Sequence, residues 1–417
     1  MIRRLMINYY FTITALLFVT LSTSVYSEEV RYPIPCYEGK ELEKVREWEK
    51  KWVGKRIDSS NVDEVKEFLP ETLYTLTKDT GKWGESWFEI VPYREYKMTA
   101  GTIEATKKYS PDCRIGEQEE LLNWVAGYPF PEPKMGIEIA WNFYSQTRGD
   151  TQLTYAPAYI VDGRRKSDRH IAFKTWVTFF SGRRDVSPTP EVVPNPKKIY
   201  RAAFAEFSEP SEMKGFLTLM MTYKDFLLPY DTWTWVASIR RIRRVSTAQR
   251  VDTVGGQDLC YDDNYGWDGT ITRNSYKLIG RKEILSARHQ DVKLLEHMEG
   301  DCLIDGRRKE RINAWVVEAV CKDPGYIYKK NTWYVDPESW QIIFADKYDK
   351  YGRYWKSYEE SQGVYKGYKE QDIYFFCNSS MIDHQRIHAT VGTSDSQIGI
   401  EIPPETFTIK YLQKYGR

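Results

Sequence analysis

The sequence predicts an α+β, β-rich fold: a large curved antiparallel sheet, an incomplete β-barrel, with covering helices and a helical N-terminal portion. Three observations carry this expectation. Apolar residues recur at spacings of three and four through residues 40–80. From about residue 137 they give way to short runs rich in β-branched and aromatic residues, such as HIAFKTWVTFF, GFLTLMMTY and INAWVVEAV. NTWYVDPESWQIIFADKYDKYGRYWKSYEE then reads as three consecutive antiparallel strands divided at Asp336-Pro337 and Tyr351-Gly352. A sheet of this length that does not close leaves an interior able to hold a ligand.

The elements follow in chain order. Residues 1–27, MIRRLMINYYFTITALLFVTLSTSVYS, read as a signal peptide: basic Arg3 and Arg4, an apolar stretch, then Val25 and Ser27 spaced as at a cleavage site. The apolar stretch is short for a membrane span. The mature chain is expected to begin at Glu28 and to be exported and soluble. Its formal charge then falls from +1 to −1, because two arginines and no acid are lost. Near-neutral charge and export both argue against nucleic acid as a partner.

Residues 28–136 form the expected mostly helical region. ELEKVREWEKKW aligns Leu42, Val45, Trp48 and Trp52 on one face. SSNVDEVKEFLPETLYTL offers Ser60 and Asp63 as a capping box, with Pro70 ending the helix. GEQEELLNWVAG, residues 116–127, reads as another helix stopped by Gly127. Residues 137–417 form the expected half-barrel, interrupted by turns at Gly163 and Gly182 and by the irregular, proline-rich SPTPEVVPNPK at 187–197. Six cysteines in an exported chain suggest disulfides. Cys302 and Cys321, flanking an expected hairpin, make the preferred pair, contributing about 2–4 kcal/mol.

Chemistry is sparse. There is no GxSxG, no CxxC and no glycine-rich phosphate loop. Ser394 lies in VGTSDS, without the second glycine. His384 and His388 are four apart but lack HExxH and a third ligand. QDLCYDDNYGWDGT is rich in carboxylates, but their spacing is not that of an EF-hand. No catalytic residue, metal ligand or cofactor is assigned.

The conspicuous segment is SIRRIRRVSTAQR, residues 238–250, directly after TWTWVAS. Read as a strand continuation, it puts Arg240 and Arg244 opposite Arg241 and Arg243. A buried guanidinium needs a partner. Two readings follow: a lattice with Asp252, Asp258, Asp262 and Asp263, or an anion or headgroup site at a cavity mouth.

Several ordered blocks resemble one family. GYPFPEPKMGIEIAWNFYSQTRG (127–149) is similar to the PFPxPxxGxExxWNxxxxxRG signature of the domain-of-unknown-function family 1329. TWTWVASIRRIRRV resembles its W-x-Y-x-P-G-x-R-R-V-R-R segment, with Trp235, Ala237 and Ser238 in place of Tyr, Pro and Gly. DDNYGWDGTITRNSYKLIGRKEIL and the strands to Tyr358 resemble its later blocks, with Tyr276 in place of a Trp. The resemblance implies a Gram-negative envelope protein with a Lol-carrier-like half-barrel and helices capping an apolar cavity. It further implies a carrier for a lipid or other hydrophobic molecule, partnered by an RND-type transporter or outer-membrane protein, with peripheral membrane contact. On that reading Trp141, Trp233 and Trp235 are cavity-wall candidates, and Arg241, Arg243 and Arg244 face Asp262 and Asp263 or an acidic headgroup. The plainer reading is packed core for the tryptophans and paired charge for the arginines. The alternatives are an envelope adaptor without a ligand and an exported hydrolase.

One outcome separates the two environments open to the arginine run. Arg243→Ala costs about 3–5 kcal/mol if its partner is buried and under about 1 kcal/mol if exposed, read from the denaturant midpoint.

Overall fold

The structure is a computed structural model that describes residues 33–162, 167–292 and 307–416. The signal-peptide reading of residues 1–27, the turn at Gly163 and Cys302 lie outside these. Six helices are described: α1 (Gly39–Trp52), α2 (Glu71–Lys78), α3 (Thr80–Trp83), α4 (Ala100–Tyr109), α5 (Gly136–Tyr144) and α6 (Ile409–Tyr415). Strands β1 (Arg56–Ile57) and β2 (Phe88–Ile90) are short, and β3 (Arg114–Ile115) with β4 (Leu121–Leu122) makes a separate small hairpin. The first long group is β5 (Thr151–Asp162), β6 (Ser167–Phe179), β7 (Ile199–Glu209), β8 (Leu217–Tyr223), β9 (Asp231–Val236) and β10 (Arg241–Val245). The second is β11 (Asn274–Ser286), β12 (Arg307–Cys321), β13 (Tyr328–Val335), β14 (Ile342–Asp349), β15 (Tyr354–Lys366), β16 (Asp372–Asp383), β17 (His388–Thr393) and β18 (Asp395–Ile398).

Sixteen of these strands form one sheet. Its order is β1-β2-β12-β13-β14-β15-β16-β17-β5-β6-β7-β8-β9-β10, with β11 also on β12 and β18 also on β5. Every pairing is antiparallel except the short β2–β12 contact. The path ends at β10 without returning to β1, so the sheet is open. The join that makes it one sheet is β17 on β5, which sets Thr390 beside Ile160 across most of the chain.

Side-chain alternation divides this sheet into two faces. Tyr159 and Val161 of β5 and Ala389 and Val391 of β17 point outward into a core built with Val45, Trp52, Val65, Phe68 and Leu73 of the N-terminal segments. The periodicity read in α1 is the one observed: Val45, Glu49 and Trp52 are buried, and Leu42 and Trp48 pack beside them. The other half of the outer face, with Phe204, Leu217, Leu219 and Trp235, is covered by Phe407 and Leu412 of the C-terminal segment. Helix α5 covers the inner face instead, its Ile139, Trp141 and Phe143 meeting Val317, Trp333 and Ile342. Helices therefore lie on both faces, and only α5 matches the expectation of helices on the concave side.

Four local expectations are corrected. Residues 116–127 are not a helix: Glu119 and Asn123 adopt left-handed backbone conformations, and the segment carries β4. The Ser60–Asp63 capping box is absent, since Asn61 is the cap of a 3₁₀ helix over Val62–Phe68 and the Ser60 hydroxyl bonds Asp58. The arginine run does not continue the tryptophan strand. β9 stops at Val236, Ala237–Ile239 turn, Arg240 takes a left-handed conformation at φ 49°, and β10 returns antiparallel. The turn that Pro-Gly supports in the family pattern is thus made here by Ala237 and Ser238. Finally, Cys36, Cys113, Cys260, Cys321 and Cys377 are free thiols. Cys302 lies outside the described residues, and so does its expected pairing with Cys321.

A buried charge cluster fastens the N-terminal segment to the sheet. The fully buried Arg288 pairs with Asp336 at 3.1 Å and with Glu338. Glu338 also accepts the Cys36 amide at 2.7 Å, the Tyr96 amide at 2.9 Å and the Tyr93 hydroxyl. Arg288→Met leaves two buried carboxylates without their cation, and is expected to destabilise the fold by about 3–5 kcal/mol in urea denaturation.

Candidate ligand cavity

The inner face of β5–β9 is built from small side chains. Ala156 and Ala158 on β5, Thr175 on β6, Ala203 and Ala205 on β7 and Gly392 on β17 all face one space of about 210 Å³. The same strands carry Tyr155, Tyr159, Trp176 and Phe204 at alternate positions, which the period of two sends to the outer face. Large residues outside and small ones inside leave a hollow. Its volume exceeds the ~150 Å³ apolar cavity known to admit benzene. Phe173, Val177, Phe207 and Met220 add apolar wall, and Thr154, Thr218, Thr232 and Thr390 add hydroxyls.

The segment from Val254 to Asp268 closes the space, contributing Val254, Leu259, Tyr261, Tyr265 and Asp268. Its carboxylates are its anchors. Asp262, fully buried, accepts from Arg250 Nε at 2.8 Å, Arg273 Nη1 at 2.8 Å and the Tyr326 hydroxyl at 2.8 Å. Asp263 pairs with Lys347 at 3.0 Å and accepts from the Tyr328 hydroxyl and the Cys260 amide, each at 3.0 Å. Burial alone raises the Asp263 pKa, but Lys347 and Lys356 pull it below the ordinary carboxylate range. Asp258 meets His388 Nδ1 at 2.8 Å and the Thr390 hydroxyl at 2.8 Å. Asp268 pairs with Arg201 at 2.6 Å. The acidic loop read from the sequence is thus a lid whose carboxylates are held by cations from several strands.

Behind the wall, Tyr358 donates to Glu360 Oε2 at 2.7 Å. Burial pushes the Glu360 carboxyl up to about 7, against the lowering influence of that bond and of Arg148. Arg148 stacks on the Tyr265 ring at 4.1 Å.

The residues singled out from the sequence fall in three places. Trp141 is fully buried in α5, its Nε1 donating to Glu119 O at 2.9 Å, and it does not line the cavity. Trp233 and Trp235 lie on the outer face with the C-terminal helix, because Thr232 and Thr234 between them take the inner face. Arg241, Arg243 and Arg244 are exposed on the edge strand β10. Arg244 pairs with Asp231. None of the three reaches Asp262 or Asp263; Arg250, at the end of the same run, does. Sequence reasoning missed Arg201, Arg250 and the alanines. Their signal was the alternation of small residues in TYAPA and RAAFA.

The description "Protein of unknown function (DUF1329)" belongs to the family model that matches residues 56–413. The chain belongs to the DUF1329 family. Among relatives of this DUF1329 chain, the uncharacterized protein PA3922 of Pseudomonas aeruginosa is 27% identical over 319 residues, 72% of this chain and 67% of that protein. A DUF1329 protein crystal structure from Desulfovibrio piger is 17% identical with a TM-score of 0.49, covering 66% of this chain and 97% of that one. A putative outer membrane lipoprotein-sorting protein domain from Vibrio parahaemolyticus is 13% identical with a TM-score of 0.47, covering 67% and 98%.

The DUF1329 signature at 127–149 serves architecture here. Asn142 brackets the Phe130 backbone, accepting its amide at 2.9 Å and donating to its carbonyl at 2.6 Å. A Cβ on Gly136 would lie 2.9 Å from the Leu278 amide nitrogen, so only glycine lets α5 approach β11 this closely.

Two outcomes test this account. Arg243→Ala should shift the denaturant midpoint by less than about 1 kcal/mol, and Arg250→Ala by about 3–5 kcal/mol, since only the second strips a buried carboxylate. Glu360 binds its proton more tightly folded than unfolded, so its contribution to stability is present at low pH and is lost as pH rises toward about 7. Glu360→Gln should remove that dependence and stabilise the protein at pH 8 by on the order of 3 kcal/mol in thermal unfolding.

Proposed function

We propose that this DUF1329 protein is a periplasmic binding or carrier protein for a lipid or other hydrophobic molecule in the Gram-negative envelope. The observation that carries the reading is the hollow on the inner face of the open sheet, lined by small residues and covered by residues 254–268. Apolar pockets with a few polar groups are the usual form of a small-molecule site. A structural core of the same strands would carry large side chains at these positions, as their outer face does. No described helix is long and apolar enough to cross a membrane. The cargo would enter and leave through movement of the lid. The working partner on this reading is an RND-type transporter or outer-membrane protein. The exposed, cationic edge strand β10 is a surface such a partner would meet.

The reading is tested by native mass spectrometry of the protein purified from the periplasm, followed by solvent extraction. A co-purifying apolar molecule at near-stoichiometric amount is the expected result. Ala203→Phe fills the hollow and should abolish it while the protein stays folded by circular dichroism. A clean apo mass, unchanged after incubation with envelope lipids, would return the protein to the adaptor reading.

A further inference from the structure

The wall of the cavity contains one cation with unused hydrogen-bonding capacity. Arg201 lies on the inner face of β7 between the alanine strip and the lid. Its side chain is 9% exposed, and it is one of the residues that line the cavity. The guanidinium reaches Asp268 through Nη2 alone, at 2.6 Å. Its Nε is buried without an acceptor, and Nη1 has no partner among the described residues. An arginine that engages one carboxylate oxygen with one nitrogen keeps N–H donors for a second anion.

Arg201, Arg250, Arg273, Lys347 and Lys356 converge on the lid, which supplies Asp258, Asp262, Asp263 and Asp268. Five cations face four carboxylates, and Arg148 stands behind Tyr265 with Glu360 as the nearby acid. Arg273 is part-exposed, so the buried charges balance, and it is the partly engaged Arg201 guanidinium at the cavity wall that favours an anion over a neutral guest. The apolar strip of Ala156, Ala158, Ala203 and Ala205 has room for one chain rather than several.

Building on the cavity reading above, we infer that the guest is a single-chain anionic amphiphile. Its hydrocarbon chain lies along the alanine strip, and its carboxylate or phosphate head takes the remaining N–H donors of Arg201. A free fatty acid and a single-chain phosphate ester share this chemistry.

The test titrates the purified full-length secreted protein with dodecanoate, dodecyl phosphate and dodecanol, each below its micellar concentration, by isothermal calorimetry. At least one anion should bind tenfold or more tightly than dodecanol, and the stronger of the two identifies the head. The double variant Arg201→Gln/Asp268→Asn keeps a hydrogen bond and removes both charges. It should bind dodecanol as before and lose the preference for anions, whereas Arg201→Lys with Asp268 intact should keep part of it. Equal affinity for all three probes in the wild type overturns the inference and leaves the cavity reading standing. A preference that survives in the folded double variant overturns the role of Arg201. Binding of none of the probes counts against the inference and the cavity reading together.

Discussion

The most heavily bonded anchor of the lid is the buried carboxylate of Asp262. Arg250 comes to it from the segment after the edge strand, Arg273 from the turn before β11, and Tyr326 from the turn before β13. Each would be costly to bury alone, and together they satisfy one another's hydrogen bonds. Arg250 also reaches the Asp268 carbonyl at 3.2 Å, which ties the lid to the pair that Asp268 makes with Arg201. Without this convergence residues 254–268 would be a polar loop beside a sheet. With it they become a roof.

A roof makes a cavity only if the floor is low. The largest side chains of β6, β7 and β9, namely Trp176, Phe204, Trp233 and Trp235, lie on the outer face and pack with the C-terminal segment. At the hollow the inner face carries alanine and threonine, bounded by Phe173, Val177, Phe207 and Met220. The separation is enforced by the pleat, because a one-residue slip would exchange the two sets. Outer-face packing therefore sets the register, and the register sets the hollow.

The basic run belongs to a different part of this arrangement from its acidic neighbours. β10 is the last strand of an open sheet, with one edge unpaired. Arg241, Arg243 and Arg244 guard that edge against adding another strand, which is how natural sheets keep exposed edges soluble. Only Arg250, past the strand, turns back beneath the lid.

Much of the architecture is legible from local pattern. The period of three and four in α1, the strand runs after residue 150, the irregular proline-rich connection at 187–197 and the family signature all depend on residues close in sequence. The errors arose where local pattern has two solutions. Trp233 and Trp235 show that a strand has two faces, but not which face looks inward. Residues 116–127 carry helical spacing but fold around two left-handed residues.

The sequence by itself determined that this is a strand-rich DUF1329 chain whose arginines and aspartates need partners. The tertiary structure decided which partners they have. Arg201 and Asp268 are 67 positions apart, and Tyr326 and Asp262 are 64 apart. Such pairs form only once strands from both halves of the chain share one sheet, so pairing energy that no local window contains selects them. The cavity has the same origin: small residues are visible in a strand, but a hollow exists only when a distant segment is held above them.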